Sequence, residues 1–179
     1  MSDIILHQYE MSPFSRKVIS IFAHKNIAWH AVDQPITAPK PELTPLTGGY
    51  RKIPVIQIGA HIYCDTKLII RELEKRFPET PLTPPELLGA AEIIADWADH
   101  RLFSNAAGPS IFEIGTLVPK DFLADRAAMQ RPEVMAAALP IEHVKAQFVL
   151  DLQMINRQLS GSAFMLGEAF TLADAAVFP

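Results

Sequence analysis

The stretch SPFSRKV, residues 12–18, decides the fold because it marks the end of a strand and the start of a helix. Residues 4–6 open a compact apolar run of the kind found in buried parallel strands. Ser12 is a preferred N-cap residue, and Pro13 suits the first helical position because the N–H that it lacks would have no partner there. The sequence therefore predicts a β-strand followed directly by an α-helix.

The next elements follow from turn residues and apolar runs. A second strand is predicted at residues 27–33, and four prolines between positions 35 and 45 then exclude one regular element. The segments IPVIQI and HIYC flank a turn at Gly59 and predict a β-hairpin. A helix is expected to begin at Asp65 and to end before Pro78. The predicted order is β-α-β, an irregular connection, and β-β-α.

The character of the chain changes after this point. Four prolines lie within residues 78–85, a density that predicts a linker, and from Glu86 onward Ala, Leu, Ile and Glu recur with helical spacing. Near the end, Thr171 and Asp174 are spaced as a capping box, a strong helix start. We therefore predict a first domain at residues 1–80 and an all-helical second domain at residues 86–179. So little helix follows the capping box that we expect this second domain to be incomplete at its C-terminus.

Composition narrows the class of protein. The chain has 179 residues, 49% of them hydrophobic, and a net charge of −4, which favours a globular protein without attraction to nucleic acid or to an anionic membrane. One cysteine excludes a disulfide framework, and the six histidines lack the spacing of metal ligands, so we predict no metal. No apolar stretch reaches the roughly 20 residues of a membrane-spanning helix. These features predict a cytoplasmic protein.

Three stretches, in this order along the chain, resemble the cytosolic glutathione transferase family. They are SPFSRKV, RKIPVIQIGAHIYCDT at residues 51–66 and FMLGEAFTLADAAVFP at residues 164–179. The resemblance is to bacterial-type, serine-class members of the theta and zeta kind. It implies an α/β thioredoxin-like N-terminal domain followed by an all-α helical bundle. It also implies a homodimeric enzyme whose substrates are glutathione and a small hydrophobic electrophile.

Within this family the candidate catalytic residue is Ser12. A free thiol has a pKa near 8.5, so the glutathione thiolate needs selective stabilisation at neutral pH. A hydroxyl at the positive end of a helix can supply it. Redox relatives carry cysteine where Ser12 and Ser15 stand, so a dithiol mechanism is excluded. Two alternatives stay open: Ser12 is only an N-cap, or Tyr9, at the end of the same strand, is the hydroxyl that acts.

The resemblance also implies the residues that bind glutathione. Ile53 and Pro54 match the family's Val-Pro pair with its cis peptide bond, whose backbone pairs with the cysteinyl residue of glutathione. Asp65 and Thr66 match the pair that receives the γ-glutamyl end, the acid facing its ammonium and the hydroxyl its carboxylate. The glycyl carboxylate is within reach of Arg51 or of its neighbour at position 52, although a solvated loop charge is the favoured reading for both.

Several other residues are weaker candidates for the functional site. Asp96, Asp99 and His100 share part of a helix and either line the cleft for the second substrate or form a solvated face. Cys64 is interpreted as a small buried hydrophobic residue, and Ser15 as an ordinary helix serine. Two further functions stay open, a non-catalytic binding module and a glutathione-dependent isomerase or dehalogenase.

Overall fold

The structure, a computed structural model, describes residues 3–114, 117, 119–129 and 139–178. Four strands form one mixed sheet in the order β2-β1-β3-β4. Strand β1 pairs in parallel with β2 and antiparallel with β3, and β3 pairs antiparallel with β4. The strands are β1 Ile4–Gln8, β2 His30–Asp33, β3 Val55–Ile58 and β4 His61–Cys64. The hairpin that was predicted around Gly59 is the β3–β4 pair.

Three helices accompany this sheet: α1 Pro13–His24, α2 Thr44–Thr47 and α3 Thr66–Arg76. The predicted start of α1 is confirmed, because Ser12 is its N-cap and its Oγ accepts a hydrogen bond from the Ser15 N–H. Apolar residues of β1 and β3 pack with one face of α1 and of α3 in the first core. The thioredoxin-like first domain is thus confirmed.

The second strand begins later than predicted. Strand β2 starts at His30, whereas the apolar pattern placed its start at residue 27. The Ile27 N–H donates to the Phe22 carbonyl at 2.9 Å, so residue 27 still belongs to the exit of α1. The Trp29 ring packs against the Phe22 ring with centroids 5.6 Å apart. The apolar residues before His30 therefore serve core packing and not strand pairing.

Beyond residue 84 the regular elements that the structure describes are helical, as predicted. A 3₁₀ turn at Pro85–Leu87 leads into one long helical run that consists of α4 Leu88–Trp97, a π-helical turn Ala98–Leu102 and α5 Phe103–Ile114. The described residues that follow contain three more helices: α6 Phe122–Ala127, α7 Ile141–Leu159 and α8 Leu172–Val177. None of the helices in the described ranges is both long and apolar enough to cross a membrane.

The capping box at the start of α8 forms as predicted. One Asp174 oxygen accepts hydrogen bonds from the Thr171 N–H at 2.9 Å and from the Thr171 hydroxyl at 2.8 Å. The other oxygen accepts from the Met165 N–H at 2.7 Å. Ala175 is buried in the core of the first domain, so this helix start fixes a contact between the two domains.

Candidate functional site

A cavity of about 270 Å³ lies where the two domains meet. The first domain contributes the start of α1, the residues just before β3 and the start of α3, and the second domain contributes the π-helical turn. All four residues that the sequence predicts to bind glutathione border this one cavity. The full lining is Phe14, Tyr50, Lys52, Ile53, Pro54, Asp65, Thr66, Lys67, Asp99 and His100.

The start of α3 opens onto this cavity. Asp65 is the N-cap of α3, and its carboxylate accepts a hydrogen bond from the Lys67 N–H at 2.8 Å. Its backbone φ of +76° lies in the left-handed region, which costs a residue other than glycine about 1–3 kcal/mol. Thr66 is the first helical residue, so its backbone N–H belongs to the N-terminal turn, where anions are stabilised.

The opposite wall precedes β3. The Ile53–Pro54 peptide bond is cis, and Pro54 is buried. Burial, and then the nearby Asp65 and Cys64, raise the pKa of the Tyr50 phenol. This hydroxyl therefore stays protonated at neutral pH and can donate a hydrogen bond. Tyr50 was not among the predicted site residues, although it lies only three positions before Ile53 in the sequence.

Ser12 does not border the cavity. Its side chain is 1% exposed, and its Oγ accepts from the Ser15 N–H at 3.2 Å. Ser15 is also buried, and its hydroxyl has no hydrogen-bond partner among the residues that the structure describes. Phe14, between them, borders the cavity and packs against Phe103 of the second domain with ring centroids 4.9 Å apart. A catalytic role for Ser12 stays a prediction.

Neither Tyr9, the alternative hydroxyl, nor the cysteine Cys64 borders the cavity. The Tyr9 ring lies outside the cavity lining, with Lys40 Nζ at 5.5 Å and the Arg126 guanidinium at 5.8 Å from its centroid, so this ring takes part in cation–π packing. Cys64 is half-buried. Burial and the neighbouring Asp65 raise the pKa of its thiol, which keeps it protonated and weakly nucleophilic.

The adjacent cations Arg51 and Lys52 differ in their surroundings. Lys52 is exposed and borders the cavity. The Arg51 guanidinium instead donates to the carboxylate of Asp125, in α6, at 2.6 Å and to its carbonyl at 3.2 Å. The favoured interpretation of Arg51 as a solvated loop charge is therefore wrong, because its guanidinium pairs with Asp125, which is remote in the sequence.

A buried ion pair joins the domains beside the cavity. Lys17 of α1 contacts both carboxylate oxygens of Asp99 at 2.8 Å, and the two side chains are 2% and 9% exposed. The solvated-face alternative is thus wrong for Asp99, which borders the cavity together with His100. Asp96 is exposed and pairs with Lys67 at 2.6 Å. Lys17 was not among the predicted site residues, because a lysine in an amphipathic helix ordinarily faces solvent.

A larger cavity of about 770 Å³ lies alongside, between α3 and α4, and shares Lys67 and Asp99 with the smaller one. None of the four residues predicted to bind glutathione borders it. In the ranges that the structure describes, no group of three or more His, Cys, Asp or Glu side chains is placed to hold a metal ion. The smaller cavity is therefore the candidate site.

Known proteins resemble this chain in sequence and in fold. Residues 6–81 match the family model of the glutathione S-transferase N-terminal domain. No curated protein matches the chain significantly. The family model over residues 6–81 and the 37% identical structure described next support the glutathione S-transferase family.

One similar structure is a GST-like protein from Pseudomonas syringae, with 37% identity and a TM-score of 0.73. The alignment covers 99% of this chain, which spans 56% of the length of that protein. A glutathione S-transferase from Rhodospirillum rubrum has 19% identity and a TM-score of 0.72, with 97% of this chain and 74% of that one covered. Rice GST1, solved in complex with glutathione, has 19% identity and a TM-score of 0.70, with 98% and 72% covered. The latter two show likeness of fold alone, and the thioredoxin-like domain followed by a helical domain is the fold of these transferases.

Proposed function

We propose that the protein is a glutathione transferase that joins the thiolate of glutathione to a small hydrophobic electrophile. The observation that carries the proposal is that Ile53, Pro54, Asp65 and Thr66, which are far apart in the sequence, border one cavity at the start of α3. The glutathione in the rice GST1 structure, which has the same fold, supports this choice of ligand.

The cavity offers a partner for each part of glutathione. The Asp65 carboxylate suits the γ-glutamyl ammonium, and the Thr66 hydroxyl with the first N–H groups of α3 suits its carboxylate. The backbone N–H and carbonyl of Ile53 can pair with the cysteinyl residue as an added strand would. Lys52 is an exposed cation on the cavity wall and suits the glycyl carboxylate.

The reaction depends on the charge state of the thiol. The sulfur lone pair forms the new C–S bond, while the electrophile releases a leaving group or accepts the electron pair at a neighbouring atom. Each unit by which the thiol pKa is lowered needs about 1.4 kcal/mol of preference for the thiolate. The Ser12 Oγ accepts from the Ser15 N–H, which leaves the Ser12 hydroxyl proton free to be donated to the thiolate at the positive end of α1.

The burial of Ser12 favours a second candidate function, a non-catalytic module that binds glutathione without activating it. A hydroxyl with 1% exposure meets a thiol only if its neighbours move. In such a module Ser12 is an N-cap, and the pKa of the bound thiol stays near that of free glutathione.

Finer features of the proposal rest on the sequence resemblance. They are a serine-class enzyme of the theta or zeta kind, a homodimeric assembly and a cytoplasmic location. The chain spans only part of the proteins it resembles, so the activity of the whole protein belongs to the proposal as well.

A titration of the thiolate absorbance of bound glutathione tests the proposal, with the native chain compared with Ser12→Ala. We expect the native protein to lower the thiol pKa by at least about one unit from 8.5, and the variant to restore it. Ser15→Ala is the matched control, because it removes a buried hydroxyl from the same helical turn and is expected to preserve the shift.

The alternatives predict other results. Glutathione that binds without a pKa shift supports the non-catalytic module. A shift that persists in Ser12→Ala and disappears in Tyr9→Phe transfers the role to Tyr9. If glutathione does not bind at all, the proposed function is wrong.

A further inference from the structure

We propose that Asp125 is a positioning residue for the glutathione cavity: it holds Arg51 and thereby fixes the cavity wall on which Tyr50 and Lys52 lie. The inference rests on the proposed function, since it assigns to α6 a part in binding glutathione. Asp125 does not border the cavity, so it acts through the segment that it holds.

The contacts of α6 reach both ends of the chain segment between β2 and β3. The Asp125 carboxylate, 8% exposed, accepts from the Ala38 N–H at 2.9 Å and from Arg51 at 2.6 Å. The neighbouring Arg126 donates to the Ile36 carbonyl at 2.6 Å. Two consecutive residues of the second domain thus fasten this segment of the first domain at residues 36–38 and at residue 51.

This segment is mostly irregular. Its regular structure is limited to the four-residue helix α2, and the sheet resumes only at Val55. Tyr50 and Lys52 border the cavity, while Arg51 between them is turned to Asp125. Fixing the Arg51 side chain therefore restricts the backbone that presents its two neighbours to the ligand.

Electrostatics make Asp125 hard to replace. Three cations lie close to it: Arg51 and Arg126 as ion-pair partners, and Lys40, which is buried. Burial alone would raise the pKa of Asp125, but the Ala38 N–H and the two guanidinium groups bring it below its usual value. Burial and the nearby Arg126 lower the pKa of Lys40. Without the carboxylate, mutual repulsion of these cations would loosen the segment.

The test compares Asp125→Asn, Arg51→Met and the double variant in the full chain, with glutathione as the ligand. We expect each single variant to raise the KM for glutathione about tenfold, about 1.4 kcal/mol in binding, while kcat at saturation stays within about twofold. Because both residues act through one contact, the double variant is expected to be no weaker than the worse single variant.

Glu72→Gln is the matched control. Glu72 is a carboxylate of similar burial that pairs with Arg76 within α3, two turns away from the cavity end of that helix. It removes an ion pair without touching residues 36–51, so it is expected to leave the KM for glutathione unchanged.

Three results would overturn the inference. A lower Tm of Asp125→Asn with an unchanged KM would make the pair a purely structural contact. Additive effects in the double variant would mean that Arg51 touches glutathione itself. If the native protein binds no glutathione, the proposed function is wrong. The rate of hydrogen exchange at the Ala38 amide then tests whether Asp125 holds the segment. In that case Asp125→Asn must speed this exchange relative to Glu72→Gln, or the positioning role is also wrong.

Discussion

Two ion pairs that join the domains have nearly equal lengths and opposite surroundings. Lys17 meets Asp99 at 2.8 Å with side-chain exposures of 2% and 9%, whereas Lys67 meets Asp96 at 2.6 Å with exposures of 55% and 59%. Exposed pairs contribute little because water and salt screen them, whereas breaking a buried pair leaves a charge without water. Burial, and not distance, decides how strongly each pair holds the domains together.

A third pair, Arg51–Asp125, lies between these extremes with exposures of 24% and 8%. Asp125 has an additional partner, the Ala38 N–H. The three pairs therefore form a series of falling burial across one domain junction, and substitutions in each should have effects in the same order.

The largest effect is expected for Lys17→Met, which leaves the buried Asp99 carboxylate without its partner. We expect the free energy of unfolding to fall by about 3–5 kcal/mol, measured by urea denaturation. Adding Asp99→Leu should recover most of the loss, because a pair replaced on both sides leaves no unpaired charge. A loss below about 1 kcal/mol in the single variant would mean that Asp99 is hydrated in solution.

An intermediate, pH-dependent effect is expected for Asp125→Asn. The folded state lowers the pKa of Asp125, so the carboxylate stabilises the fold above its unfolded pKa of about 3.9, and this contribution is lost as pH falls through the folded value. We expect native protein to exceed the variant by about 1–3 kcal/mol at neutral pH. Stability measured at several pH values should show the difference shrinking below about pH 4. A difference that grows on acidification would contradict the assignment.

The smallest effect is expected for Lys67→Met. Its hydrogen bond to Asp96 raises the pKa of Lys67, so the lysine is charged at neutral pH, but both groups face water. We expect a change below about 1 kcal/mol that disappears in 1 M salt. A larger change in the free energy of unfolding that persists in 1 M salt would mean that the exposed pair stabilises the fold as strongly as the buried pair does.

Where neighbours in the sequence decide the structure, prediction from sequence was close. The N-cap at Ser12, the hairpin at Gly59 and the capping box of Asp174 each depend on a few consecutive residues, and each is confirmed. The strand predicted from residue 27 began late because Trp29 packs into the core, a contact that no local pattern contains.

The candidate site also combines residues that the sequence pointed to with contacts that it did not. Resemblance along the sequence pointed to Ile53, Pro54, Asp65 and Thr66, and the fold gathers all four at one cavity. It did not point to Asp99 as the partner of Lys17, or to Asp125 as the partner of Arg51, since these partners are separated by 82 and 74 positions.

The sequence by itself thus determined the order of the elements, the helix caps and the hairpin, because these follow from contacts within a few positions. Only the tertiary structure decided which charges are buried, which carboxylate faces each cation and which residues share the cavity. The environment of a charge depends on whatever packs against it, and at this junction that is a second domain whose helices lie far along the chain.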